Sequence, residues 1–150
     1  MNWLPKKNII VPIDFSAHSL AALETALGMV NDASAIHAVH VLPMLLVVEP
    51  GMTWGGVDDD IRKQEALAAL TQRTSDPRFA GLHRQILIGD PGHEIVALAE
   101  KLGADLIVMP SHGRTGLKHL LIGSVAERVV RLAHCPVLVL RGHHHEHQQP

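Results

Sequence analysis

The chain has 150 residues, 47% hydrophobic and 19% charged, with a formal net charge of −2. This length suits one domain with a real core, and the composition and charge exclude a disordered chain and a nucleic-acid surface. No apolar run approaches the roughly 20 residues of a membrane span, the N-terminal MNWLPKKN lacks the apolar centre of a signal peptide, and the single cysteine, Cys135, has no internal disulfide partner, so a cytoplasmic protein is expected.

In chain order, the first apolar run is NIIVPI, Asn8–Ile13, which reads as a strand. Ser16 then suits a helix N-cap, and Leu20, Leu23, Leu27 and Val30 recur at helical spacing behind it. AIHAVHVL, Ala35–Leu42, is the second strand. From Glu49 to Asp60 the sequence is rich in glycine and acid and has no period; it reads as a mobile connector, with a flap over a ligand as the alternative. Asp58–Asp60 open a second helix, with an apolar stripe from Ile61 to Leu70. RQILI, Arg84–Ile88, is the third strand. Asp90-Pro91 pairs an N-cap with a first-turn proline, Ile95, Leu98, Ala99 and Leu102 share one helix face, and Gly103 stops the helix. DLIVMP, Asp105–Pro110, is the fourth strand. Ser124-Val-Ala-Glu127 has the form of a capping box and predicts a fourth helix through His134. PVLVL, Pro136–Leu140, is the fifth strand. Residues 1–142 form one domain in this reading, and 143–150 a disordered His-rich tail.

Several of these strands are continuously apolar, the pattern of strands covered on both faces. Alternation of strands and helices with right-handed crossovers gives an α/β fold: an open five-stranded parallel sheet, Rossmann-like, with helices on both faces. With strand order 3-2-1-4-5, the loops after strands one and four meet at the point where the winding reverses, the usual ligand crevice of such sheets. Those loops hold PIDFS, Pro12–Ser16, and the glycine-bearing stretch that begins at Met109.

Neither G-x-G-x-x-G after strand one nor G-x-x-x-x-G-K-[ST] anywhere is present, which argues against a dehydrogenase and a P-loop NTPase. No Ser/His/Asp or Cys/His pairing and no acidic cluster suggests catalysis. Ser124 can simply cap its helix, while the N–H groups of a helix start also form an anion site that Gly123 would leave open. Gly113 suits a sharp turn, and Asp14 suits either a helix entry or a ligand contact. His112, His119, Arg114 and Lys118 make the stretch after strand four cationic, although solvated loop charge is the commoner meaning. His37 and His40 lie three apart on a strand and cannot chelate one metal, and His40 reads as a buried, hydrogen-bonded histidine. Cys135 reads as a packed small side chain, and GHHHEHQQP as a tail that could hold a divalent metal loosely.

The order Pro110-x2-Gly113-x9-Gly123-Ser124, together with NIIVPIDFS, HVL, GDPGHEIVALAEKLGADLIVMPSHG and GSVAERVVRLAHCPVLVLR, resembles the universal stress protein family over about residues 7 to 141. Its nucleotide-binding members carry G-x2-G-x9-G-[ST] after the fourth strand; this chain has proline at the first position. The resemblance implies an ATP-binding, dimeric regulatory module of the stress response, with Mg2+ as a possible companion of ATP. It implies that Pro12 and Asp14 flank the adenosine, that Val41 and Met109 line its site, and that Gly113, Gly123, Ser124 and Val125 receive phosphates. A homodimer through Val137, Leu138, Val139 and Leu140 is expected, since an uncovered edge strand invites pairing. The alternatives are a nucleotide-free dimeric interaction protein of the same family and a slow ATPase.

Overall fold

A computed structural model describes residues 2–45, 58–112 and 122–142. Five parallel strands, β1 (Ile9–Pro12), β2 (Ile36–Leu42), β3 (His83–Ile88), β4 (Leu106–Pro110) and β5 (Val137–Leu140), form one sheet in the order β3-β2-β1-β4-β5. The helices α1 (Ala17–Leu27), α2 (Asp59–Arg73), α3 (Pro91–Leu102) and α4 (Ser124–Leu132) connect them. The expected order and fold class hold, and each strand boundary lies within a residue of its expected position.

The continuous apolar runs are explained by two cores. Ile9, Val11 and Ile13 of the first strand region, Ala38 and Val108 face Ala22, Leu23 and Ala26 of α1. Ile10, Val39, Ile107 and Met109 face Ile95, Leu98 and Ala99 of α3 and Ala126 and Val129 of α4. Ile9, Ile10 and Val11 are all fully buried, so successive side chains leave water on opposite sides of one strand. At roughly 1.5–3 kcal/mol for each buried aliphatic side chain, this short strand anchors both layers.

Helix ends follow local chemistry in three cases. Ser16, Asp58 and Asp90 accept hydrogen bonds from the backbone N–H groups of Ser19, Asp60 and His93. Gly103 adopts φ +61°, ψ 44° after α3, the left-handed stop its position predicted. Three expectations need correction. Val30 is not on α1, which ends at Leu27 with Gly28 as C-cap; Val30 instead bridges to Lys6. The stripe on α2 is mostly solvated, with Leu70 buried while Ile61 and Leu67 are exposed. Leu70, near its C-terminal end, packs into the first core, and the helix lies against the edge strand β3. The helix α4 ends at Leu132 rather than His134.

Candidate functional site

Hydrogen-bond directions locate a split at the centre of the sheet. β1 and β2 pair through Pro12↔Val39, and β4 and β5 pair through Pro110↔Leu140. β1 and β4, by contrast, pair only at Ile9↔Leu106 and Ile10↔Ile107. The reason lies in two prolines. The Ile13 N–H donates to the Val39 carbonyl of β2 at 2.7 Å, so strand alternation turns Pro12 toward β4. The Ser111 N–H donates to the Leu140 carbonyl of β5 at 2.7 Å, so Pro110 turns toward β1. Neither proline has an N–H, and the ladder between the two strands cannot continue. A crevice therefore opens beyond their C-terminal ends, at the winding reversal.

One wall is the β1–α1 loop. Ser16 donates to Asp14 Oδ1 through both its N–H (2.9 Å) and its hydroxyl (2.5 Å). Ser19 Oγ accepts from the Asp14 N–H at 3.3 Å and donates to the Ser16 carbonyl at 3.0 Å. Phe15 sits between them at φ +64°, a left-handed backbone that costs a non-glycine residue roughly 1–2 kcal/mol. From β2, His40 Nδ1 lies 2.6 Å from the Ile13 carbonyl, and its ring centroid lies 4.7 Å from that of Phe15. Thus His40 is hydrogen-bonded, as its sequence position suggested, but half-buried rather than buried.

The opposite wall is the end of β4 and the start of α4. The Gly123 N–H donates to the Ser111 carbonyl at 2.5 Å, which draws the helix start against the strand end. Here the capping box does not form. Gly123 is the N-cap, no side chain caps the helix, and Ser124 is its first residue. Glu127 instead reaches Arg131 at 3.5 Å, one turn along the helix. Its N–H makes the first intrahelical bond, to the Gly123 carbonyl, which leaves the N–H groups of Ser124, Val125 and Ala126 ahead of the ladder. Gly123 has φ −72° and ψ 162°, extended backbone open to any residue, so conformation alone does not call for glycine. Its own N–H is committed to Ser111; what it offers a ligand is the missing side chain.

Pro12, Val41 and Met109 belong to the sheet face that carries α4. Pro12 and Val41 are half-buried, whereas Met109 is 3% exposed and sealed in the core. Asp14 is half-buried in the loop at the mouth. Gly113, Arg114, Lys118 and His119 lie outside the described residues, as do residues 49–57 of the expected connector and the tail 143–150; the last residues of that connector, Asp58–Asp60, cap and open α2. His112 accompanies Ser111, with Ser111 Oγ 3.2 Å from its Nδ1. His37 stacks on His83 of β3 at 4.6 Å, away from His40 and the crevice, and burial first, then the charge of His83, lowers its pKa. Cys135 is half-buried against the second core, and burial raises its thiol pKa.

Sequence reasoning missed Phe15, the Asp14–Ser16–Ser19 network and the His40 contact. It also missed Arg128, whose Nη1 meets Asp90 Oδ2 at 2.9 Å and ties α4 to the start of α3. The carboxyl of Asp90 is held below its usual range by the His93 N–H and then by Arg128.

A doubly wound parallel sheet, split at its winding reversal beneath a helix N-terminus, defines the class of α/β proteins that take ligands at the strand ends. Comparison with known proteins narrows the class. The Universal stress protein family model matches residues 6–141. A universal stress protein of Methanocaldococcus jannaschii is 39% identical over 141 residues, covering 90% of this chain and 82% of the relative. The chain belongs to the universal stress protein family. The structure of a universal stress protein from Lactobacillus plantarum superposes with a TM-score of 0.70 at 27% identity, over 93% of this chain and 100% of that one. One from Archaeoglobus fulgidus, solved in complex with dAMP, superposes with a TM-score of 0.52 at 27% identity, over 91% and 98%.

Proposed function

We propose that the crevice between β1 and β4 binds an adenine nucleotide, ATP being the expected ligand, and that the protein acts as a cytoplasmic dimeric regulatory module of the stress response. The observation that carries this reading is the alignment of the split with the start of α4. The unladdered N–H groups of Ser124 and Val125 and the Ser124 hydroxyl stand where phosphates would lie, and Gly123 clears their approach. Pro12, Val41 and Asp14 supply the apolar wall and the acceptor that an adenosine needs. Met109 contributes to the rigidity of that wall from the core, and Gly113 belongs to the proposed phosphate end. The dAMP complex of the Archaeoglobus fulgidus relative supports an adenine ligand. Mg2+ would arrive with the phosphates: among the described residues no group of three or more His, Cys, Asp or Glu could hold a metal. No helix among the described residues is long and apolar enough to cross a membrane.

Dimerisation through β5 follows from its edge position. Its four residues are half-buried, and Val137, Leu138, Val139 and Leu140 carry no charge, while the other edge, β3, carries His83, Arg84 and Gln85. A two-fold pairing of β5 with its copy would close the edge without propagating.

A second reading, a nucleotide-free interaction protein, is favoured by one observation: Pro110 faces the split without a donor. Heat-denaturing the purified protein and assaying released nucleotide, with calorimetric titration of ATP into the stripped protein, separates the two. Retained or titratable ATP supports binding; neither supports the empty site. ADP formation over hours would reveal a slow ATPase.

A further inference from the structure

The crevice wall on the adenosine side is not held by its own loop alone, and the residue that reaches it comes from a different strand. We propose that His40 is the positioning residue of the nucleotide site, fixing the Ile13–Ser16 loop so that Asp14 meets the nucleoside end of the ligand; this rests on the nucleotide reading above. Three contacts carry the inference. The Ile13 N–H is bound to β2 through Val39, while its carbonyl is bound to β2 through His40 Nδ1 at 2.6 Å. Both polar groups of the residue before Asp14 are therefore fixed to the neighbouring strand. The His40 ring also lies 4.7 Å from the Phe15 ring, at 58°, bracketing Asp14 from its other side in sequence.

Phe15 needs such support. At φ +64° it occupies a backbone region that L side chains avoid, and the surrounding structure must hold it there. That turn brings Ser16 back onto Asp14, where its N–H and hydroxyl both reach Oδ1. The carboxylate is thus aimed by Ser16, Ser16 is placed by the turn at Phe15, and that turn rests on the His40 ring.

The proton assignment at His40 follows from its partner. A carbonyl only accepts, so Nδ1 carries the hydrogen whether the ring is neutral or charged. The contact does not switch off with protonation, and the role is one of geometry. The contacts of His40 are with Ile13 and Phe15 in the loop on the adenosine side, so its effect should fall on nucleoside recognition.

Two substitutions separate the hydrogen bond from general packing. His40→Phe keeps a ring against Phe15 and loses the donor; His40→Asn keeps a donor near the Nδ1 position and loses the ring. With a neutral hydrogen bond at stake, His40→Phe should weaken both ATP and adenosine by about fivefold, and His40→Asn by about half that factor. Tripolyphosphate, measured by competition, should bind the parent and both variants equally. In the free proteins, amide exchange at Asp14 and Ser16 should quicken in His40→Phe and less in His40→Asn. A His40→Phe protein with parental ATP affinity and parental exchange at these amides overturns the proposal. Equal loss of ATP and tripolyphosphate, following the loss in melting temperature, also overturns it, because His40 is then part of the general fold. A parent that binds no ATP defeats the nucleotide reading instead, and the exchange data then decide alone whether His40 holds the loop.

Discussion

Replacing Pro110 by glycine should tighten nucleotide binding while loosening the fold. The geometry sets both signs. Position 110 faces β1 across the split, because Ser111 N–H on one side and the β4–β5 register on the other commit the neighbouring groups to β5. A glycine there would present an N–H to the crevice. A charge-assisted hydrogen bond to phosphate contributes about 1.5–3 kcal/mol, a factor of roughly 10 to 150 in Kd. Part is offset, since the strand end loses its fixed φ and must be ordered when ligand arrives, at about 0.4–1 kcal/mol. The net expectation is about 1–2 kcal/mol, or roughly 5- to 30-fold tighter ATP in calorimetry. The same loss of restraint should lower the melting temperature of the ligand-free protein by a few degrees, about 2–4 °C per kcal/mol in a domain of this size. A parent that binds ATP and a Pro110→Gly protein that binds it no better would refute the missing-donor argument. Binding in the variant alone would make the proline an off-switch and favour the empty-site reading; silence in both would leave the split without a nucleotide.

Gly123→Val is compatible with the extended backbone at that position, so it should abolish ATP binding and leave far-UV circular dichroism nearly unchanged; parental affinity would remove the phosphate from the helix start. Val139→Pro should convert the proposed dimer to monomer in sedimentation without unpairing β5 from β4, because carbonyls of Pro136 and Leu140 face β4 and the alternation turns the Val139 N–H to the open edge. An unchanged dimer would put the interface elsewhere. Stability should fall as pH drops below about 6.5: the unfolded chain then takes up a proton that folded His37, its pKa lowered by burial and by His83, resists. The contribution is complete above that pH, and His37→Gln should flatten the acid-side slope in urea titrations, with His83→Gln doing so in smaller measure; an unchanged slope in His37→Gln would assign the acid loss to other groups.

The sheet was readable because its strands are buried on both faces, which writes Ile9, Ile10 and Val11 as an unbroken apolar run. Asp90-Pro91 and Gly103 were readable because caps depend on a few adjacent residues. The capping box at Ser124 misled because the cap falls one residue earlier: with Gly123 as N-cap, Glu127 is the fourth helical residue, one past the position from which a capping box reaches back. What lay beyond the sequence was contact between distant segments. Nothing in HVL says that His40 will meet the carbonyl of Ile13, and a phenylalanine gives no notice of a positive φ. The crevice could be placed by topology, yet its cause, two prolines facing each other, required the register.

The single bond from the Gly123 amide to the Ser111 carbonyl has an evolutionary consequence. It fastens the end of β4 to the start of α4 across the chain that joins them. Loop length is thermodynamically inexpensive once its ends are held, each doubling costing only about 0.6 kcal/mol. An insertion between Ser111 and Gly123 should therefore cost the sheet and α4 little, provided Gly113 stays with the proposed phosphate end. Diversification of ligand or partner preference has here a ready point of entry, and a designer grafting a foreign recognition sequence would start from the same bond.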